Sequence, residues 1–358
     1  SLFRELERDR NDRNQPAPTA VTALEEDTEG KLWMGSQSNG LRHYDPVKER
    51  YDHPDISGQD GELLHTSSVR SLLSDDDGSL WIGTFRNGFL HWNPKNDTLI
   101  SYPILTNEAD QTNGETVFAI TKDSKDQIWI GYERFGMERL SPSTGERKHF
   151  PMYTDPNRPH RQDSVWPIFS DSKGALWLST HYGGVKRMRA SSSTLETIMA
   201  PIVDPDQTAT PAINSFAESS SGDIWAASRK GLFRWRDGNP TPKRFNKDTG
   251  LPTDSISSIT YSKSNHIWAA TDIGILQIDP ETGKSTSFLQ GKDMSYIGFH
   301  RNAVLNSKNG QIYFGGNKGI VHFDPNLTHP TSLPPSIRLR GIRIEDESWQ
   351  EHHAATHP

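Results

Sequence analysis

The sequence predicts an all-β fold, a seven-bladed β-propeller, and three observations carry that expectation. An aromatic anchor recurs seven times, at Trp33, Trp81, Trp129, Trp177, Trp225, Trp268 and Tyr313, in steps of 48, 48, 48, 48, 43 and 45 residues. The same text surrounds each anchor, as in GKLWMGSQSNGLRHYDP, GSLWIGTFRNGFLHWNP and GQIYFGGNKGIVHFDP. Within each unit, short alternating segments are punctuated by Asp/Asn, Gly and Pro. A period in the forties built from such segments is the signature of one four-stranded blade per repeat.

The second unit shows how one blade is written. Val69-Arg70-Ser71-Leu72 alternates apolar and polar, as a strand with one buried face does. Asp75-Asp76-Asp77-Gly78 follows as a turn, in which Asp caps its own backbone and Gly takes positive φ. Leu80–Thr84 is the second strand, Phe85-Arg86-Asn87-Gly88 the next turn, and Phe89–Trp92 the third strand. Asn93-Pro94 closes it, because proline cannot serve a central ladder. Thr98–Tyr102 is the outer strand. Blade four departs by placing Arg189-Ala190 where the others carry Asp/Asn-Pro. The seven anchors are expected in the core between blades, since stacked units bury large apolar residues at repeat positions.

The last unit lacks an outer strand: after Ile320–Phe323 the chain runs into prolines. The segment Leu2–Leu6 precedes the first inner strand, Val21–Leu24, where an outer strand lies in other units. It is therefore expected to complete blade seven and close the ring. The propeller is expected over 1–328, and 329–358 as a linker with the truncated start of a second domain.

Composition excludes several classes. With 39 Lys+Arg against 46 Asp+Glu, the net charge of −7 disfavours a general nucleic-acid binder but not a local basic patch. Cysteine is absent, which removes disulfides and thiolate metal sites. No apolar run approaches the roughly 20 residues of a membrane span. The charged opening SLFRELERDR, without an initiator Met, reads as a piece of a longer protein.

The repeat V-x-x-[LI]-x-x-D-x-x-G-x-[LI]-W-[IMLA]-G-[ST]-x-x-x-G-[LIV]-x-x-[YWF]-[DN]-P resembles the two-component regulator propeller repeat across all seven units. The tail from Pro334 to Ile344 is similar to the opening of the small β-sandwich that follows such propellers. The resemblance implies the extracytoplasmic, periplasmic sensor region of a membrane-bound bacterial receptor. It further implies a homodimer in the full-length receptor, membrane attachment only through other segments, and any kinase or cyclase activity in cytoplasmic domains outside this chain.

Recognition is expected on the face formed by the second-to-third-strand turns, which vary while the opposite turns repeat. Five cations lie in those turns, Arg86, Arg134, Arg229, Lys230 and Lys318, against Glu133 and Asp272. Phe85, Phe135, His181 and Tyr182 supply rings. The connections add Arg158, His160 and Arg161, with His300 and Arg301 at the mouth of the last inner strand. Arg70, Phe118 and Trp166 each follow the first residue of an inner strand and are expected to line the channel entrance. The expected ligand site is thus Arg70, Phe85, Arg86, Arg134, Phe135, Trp166, His181, Tyr182, Arg229, Lys230 and Arg301. Arginine forks suit planar acidic groups and rings stack on sugars, so the expected ligand is a carbohydrate, anionic in character. No cofactor and no metal are expected.

Two other classes compete. A propeller lyase or hydrolase acting on a polysaccharide or small molecule needs a base and an acid, and Glu133 with His181 is the pair on offer. A protein-interaction scaffold would present a broad face without a pocket. No nucleophile elbow, phosphate loop or dinucleotide fingerprint is present, and His352-His353 is the one close histidine pair, in a polar tail.

Overall fold

Seven four-stranded antiparallel sheets follow one another in the computed structural model of the chain, which describes residues 4–5, 20–48, 50–52, 54, 56, 58–105, 116–152, 163–200, 202–203, 209–210, 213–289, 298–326, 343–344 and 347–348. Six of the sheets are consecutive meanders, inner strand to outer strand in chain order. Blade two comprises Val69–Ser74, Leu80–Thr84, Phe89–Asn93 and Thr98–Tyr102, the strands expected from its sequence. The seventh sheet takes its outer strand from the other end of the chain: Arg4–Glu5 pairs antiparallel with Gly319–Phe323, Arg4 opposite His322 and Glu5 opposite Val321. The ring is closed as the sequence implied, and the last blade has no open edge to aggregate.

The anchors are core. All seven are buried, from 0% exposed at Trp225 and Trp268 to 6% at Trp33. Each sits between sheets: Trp81 and Phe89 of blade two pack with Val117, Ile128 and Ile130 of blade three. In blades one, two, three and seven a glycine two residues after the anchor makes that approach possible. A Cβ on Gly83 would lie 2.6 Å from Cγ1 of Val117, the first residue of the next inner strand.

The Asp…Gly turns are tied to the anchors as well. One carboxylate oxygen of Asp123 accepts the backbone N–H of Lys125 and Gln127 at 2.8 and 3.0 Å. Its other oxygen accepts the Trp129 indole N–H at 2.7 Å. Asp75–Trp81 and Asp171–Trp177 repeat the bond at 3.1 and 2.8 Å. Blades five and six place Ser219 and Ser262 at the acid's position, and there the indole nitrogens of Trp225 and Trp268 are buried without a hydrogen-bond partner among the described residues.

The connections between blades carry elements of their own. The connection from blade one to blade two contains a helix, Gly58–Thr66, whose Leu64 is fully buried. It lies close on the turn of blade one, where a Cβ on Gly40 would meet the Leu64 carbonyl at 2.2 Å and φ is +65°. Among the described residues no helix is long and apolar enough to cross a membrane.

By its contacts the chain divides into Ser1–Thr328 and His329–Pro358. The described residues of the second unit form one short hairpin, Arg343–Ile344 with Glu347–Ser348. The expected opening of a sandwich lies otherwise outside the described residues.

Candidate functional site

The second-to-third-strand turns and the starts of the inner strands share one face, and backbone hydrogen bonds hold them together. The first turn residue donates to the residue preceding its own blade's inner strand: Gln37 to Ala20, Phe85 to Ser68, Glu133 to Thr116, His181 to Ser164, Asp272 to Ser255 and Asn317 to Gly298, over 2.7 to 3.4 Å.

The inner strands begin irregularly, and this aims side chains at the axis. In blades one, two, three and six one residue is extra relative to the partner strand, at Thr22, Arg70, Phe118 and Ser257. Blade four bulges over Trp166 and Pro167. A bulge breaks the alternation of faces and redirects the side chain at that point. The sequence register that singles out Arg70, Phe118 and Trp166 also applies to Thr22 and Ser257, whose short polar side chains carry no signal of their own.

These residues surround a cavity of about 530 Å³ at the mouth of the ring. A second space of about 430 Å³ continues down the axis and shares Thr22, Arg70, Phe118, Trp166 and Arg301 with the first. Cations at the mouth are Arg70, Arg229 and Arg301, with His300 beside them; Glu133 is the carboxylate. Phe85, Phe118, Trp166 and Phe299 supply aromatic wall, and Asn214, Ser255, Ser257 and Asn317 supply polar groups.

The guanidiniums are held by rings. Arg301 lies over Trp166 at 5.0 Å, and Trp166 stacks on Phe118 at 5.2 Å and 25°. Arg70 lies over Phe85 at 5.3 Å. Neither Arg70 nor Arg301 has a hydrogen bond or ion pair with any described residue, and Arg70 Nε is buried without a partner. Burial lowers the pKa of both guanidiniums; the nearby charge of Arg229 lowers Arg301 further, while Glu133 partly offsets the effect at Arg70. Burial and Arg70 together hold His300 below the usual histidine range.

Of the eleven residues expected to bind ligand, Arg70, Phe85, Trp166, Arg229 and Arg301 line this cavity. The other six do not. Arg86 is exposed and covers the Phe85 ring at 4.9 Å. Arg134 pairs with Glu133 at 3.6 Å, half exposed. Phe135 packs on Tyr132 and stacks on His149 at 4.2 Å. His181 and Tyr182 meet edge to face, with Tyr182 56% exposed. Lys230 donates its backbone N–H to Ser228 and accepts Arg244 at its carbonyl. Glu133 is therefore at the cavity and His181 is not. Arg158, His160 and Arg161 lie outside the described residues. Among the described residues no group of three or more His, Cys, Asp or Glu is placed to hold a metal.

Comparisons with known proteins agree with this architecture. Residues 63–86, which run through the inner and second strands of blade two, match the family model described as Two component regulator propeller. A stretch of 99 residues is 26% identical to histidine kinase P4 of Formosa agariphila, covering 28% of this chain and 7% of that protein. The extracellular domain of a hybrid two component system from B. thetaiotaomicron superposes with a TM-score of 0.70 at 22% identity, over 97% of this chain and 44% of the other. A streptogramin B lyase structure superposes with a TM-score of 0.65 at 16% identity, over 89% and 96%. Virginiamycin B lyase from Staphylococcus aureus gives 0.63 at 14%, over 89% and 97%. At these identities the structures share the fold; chemistry must be read from the site.

Proposed function

We propose that this two-component regulator propeller is the extracytoplasmic, ligand-sensing part of a membrane-bound bacterial signalling receptor, and that its ligand is a carbohydrate bearing acidic groups. The single observation that carries the reading is the state of Arg70 and Arg301. Two half-buried guanidiniums face one cavity with no acceptor among the described residues. Guanidinium donors bind carboxylate and sulfate in a planar fork, with charge assistance that neutral hydroxyls do not provide.

No reaction is assigned to this region. Glu133 of blade three and His300 of blade seven are the proton-carrying groups at the cavity, so turnover is followed alongside binding. The test is a thermal-shift and calorimetric screen against acidic and neutral oligosaccharides, with product formation followed in parallel. A ligand at 100 times its Kd should stabilise the fold by about 2.7 kcal/mol. Stabilisation by acidic oligosaccharides without turnover is the expected result. Equal stabilisation by neutral sugars, unaffected by Arg301→Ala, would defeat the reading, and product release would move the protein to the lyase class.

A further inference from the structure

Blade seven begins its inner strand differently from every other blade. Phe299 pairs with Gly316 and Val304 with Phe314, so four residues, His300 to Ala303, stand against the single Gly315. The surplus carries His300 and Arg301 into the mouth. Blade one, next in the ring, contributes only the short Thr22, whose hydroxyl is turned to the carbonyls of Gly35 and Val69. Blade two then contributes Arg70. The groups around this arc of the mouth are thus His300, a small threonine and Arg70, with the Arg301 guanidinium carried across to Trp166: a recess with the imidazole on one wall and Arg70 on the other.

We propose that this recess seats the acidic group of the ligand, an oxyanion held between Arg70 and His300, and that its binding draws a proton onto His300. The inference rests on the reading of the mouth as an acidic-ligand site and adds where the charge sits and what accompanies it. The His300 side chain hydrogen-bonds that of Asn317, and its Nε2 is buried without a partner among the described residues. An unprotonated nitrogen offers an oxyanion only a lone pair; a protonated one offers a donor. The described charged groups that line the mouth with His300 are Arg70 of blade two, Arg301 beside it in the chain, Glu133 of blade three and Arg229 of blade five, and Lys318 follows Asn317 in the sequence. Cations outnumber the one carboxylate, so the mouth opposes a proton that an arriving anion would attract.

Inorganic sulfate is the probe, because its charge does not change between pH 5.5 and 8, and chloride at matched ionic strength is the control. The whole chain is titrated with sulfate at both pH values, as the parent and as His300→Asn, Arg70→Ala and Arg229→Ala. One coupled proton corresponds to a tenfold change in affinity for each unit by which binding raises the histidine pKa, so sulfate should bind the parent on the order of tenfold more tightly at pH 5.5. His300→Asn should bind equally at both pH values, and Arg70→Ala should weaken binding at both. Sulfate binding that is pH-independent in the parent overturns the proton linkage alone. Binding kept in Arg70→Ala but lost in Arg229→Ala overturns the location. No sulfate binding at either pH overturns the acidic-ligand reading beneath both.

Discussion

The guanidinium of Arg301, on blade seven, lies 5.0 Å over the indole ring of Trp166, on blade four, so one side chain reaches from one wall of the mouth to the wall facing it. Arg301→Ala should weaken an acidic oligosaccharide by roughly ten- to a hundredfold, the worth of charge-assisted hydrogen bonds of about 1.5–3 kcal/mol. Arg301→Lys should recover only part, since an ammonium keeps the charge but lacks the planar fork. Calorimetric titration of the three proteins reads this. Tryptophan emission should also change in Arg301→Ala and not when the same change is made in a Trp166→Phe background.

The bond between turn and anchor predicts stability in both directions. Asp123→Ala removes the acceptor of the Trp129 indole and of two backbone N–H groups, and should cost on the order of 2–3 kcal/mol. Ser262→Asp should supply the acid that blade six lacks and raise the melting temperature, because Trp268 Nε1 is buried without a partner among the described residues. Urea denaturation of the two variants is the measurement.

Glu138 carries a buried charge with three partners: the Leu105 backbone N–H at 2.9 Å, the Tyr132 hydroxyl at 3.1 Å and Arg147 at 2.6 Å. Removing Arg147 leaves a fully buried carboxylate without its counter-charge. Arg147→Ala should therefore destabilise by about 3–5 kcal/mol. Glu138→Gln, which keeps an acceptor for the amide and the hydroxyl, should partly restore stability when added to it. Denaturation midpoints for the single and double variants decide.

Glu25 lines the axial channel beyond the mouth. Burial pushes its carboxyl from 4.5 up to about 7; the Ser74 backbone N–H opposes that rise and Glu26 adds to it. The folded protein thus holds a proton that the unfolded chain releases at lower pH. That contribution to stability is complete below about pH 4.5 and is lost as pH rises through 7. Glu25→Gln should melt increasingly above the parent as pH is raised from 5 to 8.

Ring closure is testable by truncation. Removal of residues 1–10 deletes the strand paired with Gly319–Phe323 and exposes the edge of blade seven. The melting temperature should fall sharply, and an unchanged melt would show that the pairing contributes nothing.

Much of this architecture was legible in the sequence because each feature repeats. The anchors, the strands of blade two and the closing strand all followed from a period and a register. So did Arg70, Phe118 and Trp166, which share one position in the repeat. The turn residues were less legible, because a hairpin tip has an inner and an outer side that composition does not distinguish. Phe85 and Glu133, tied by their backbones to the inner strand, line the cavity. Arg86 and Arg134, one residue further on, take positive φ of 72° and 61° and do not. The indole-to-aspartate bond was written in the six-residue spacing of Asp and Trp, but the turn alone accounted for that aspartate. Glu138 gave no signal, since its partners come from three separate segments.

The recess over Thr22 has a history in the folding of the chain. Its walls come from blades seven, one and two, so the groups that build it are far apart in sequence, as are Glu26 and Ser307, 281 residues apart, whose side chains bond across the same junction. Contacts of such separation form late, after the entropy of closing the loop has been overcome. A chain with six blades assembled and the seventh undocked would hold Arg70 without His300 and Arg301. Capacity to capture an oxyanion therefore arrives only with the final docking step, and occupancy of the recess certifies a finished ring.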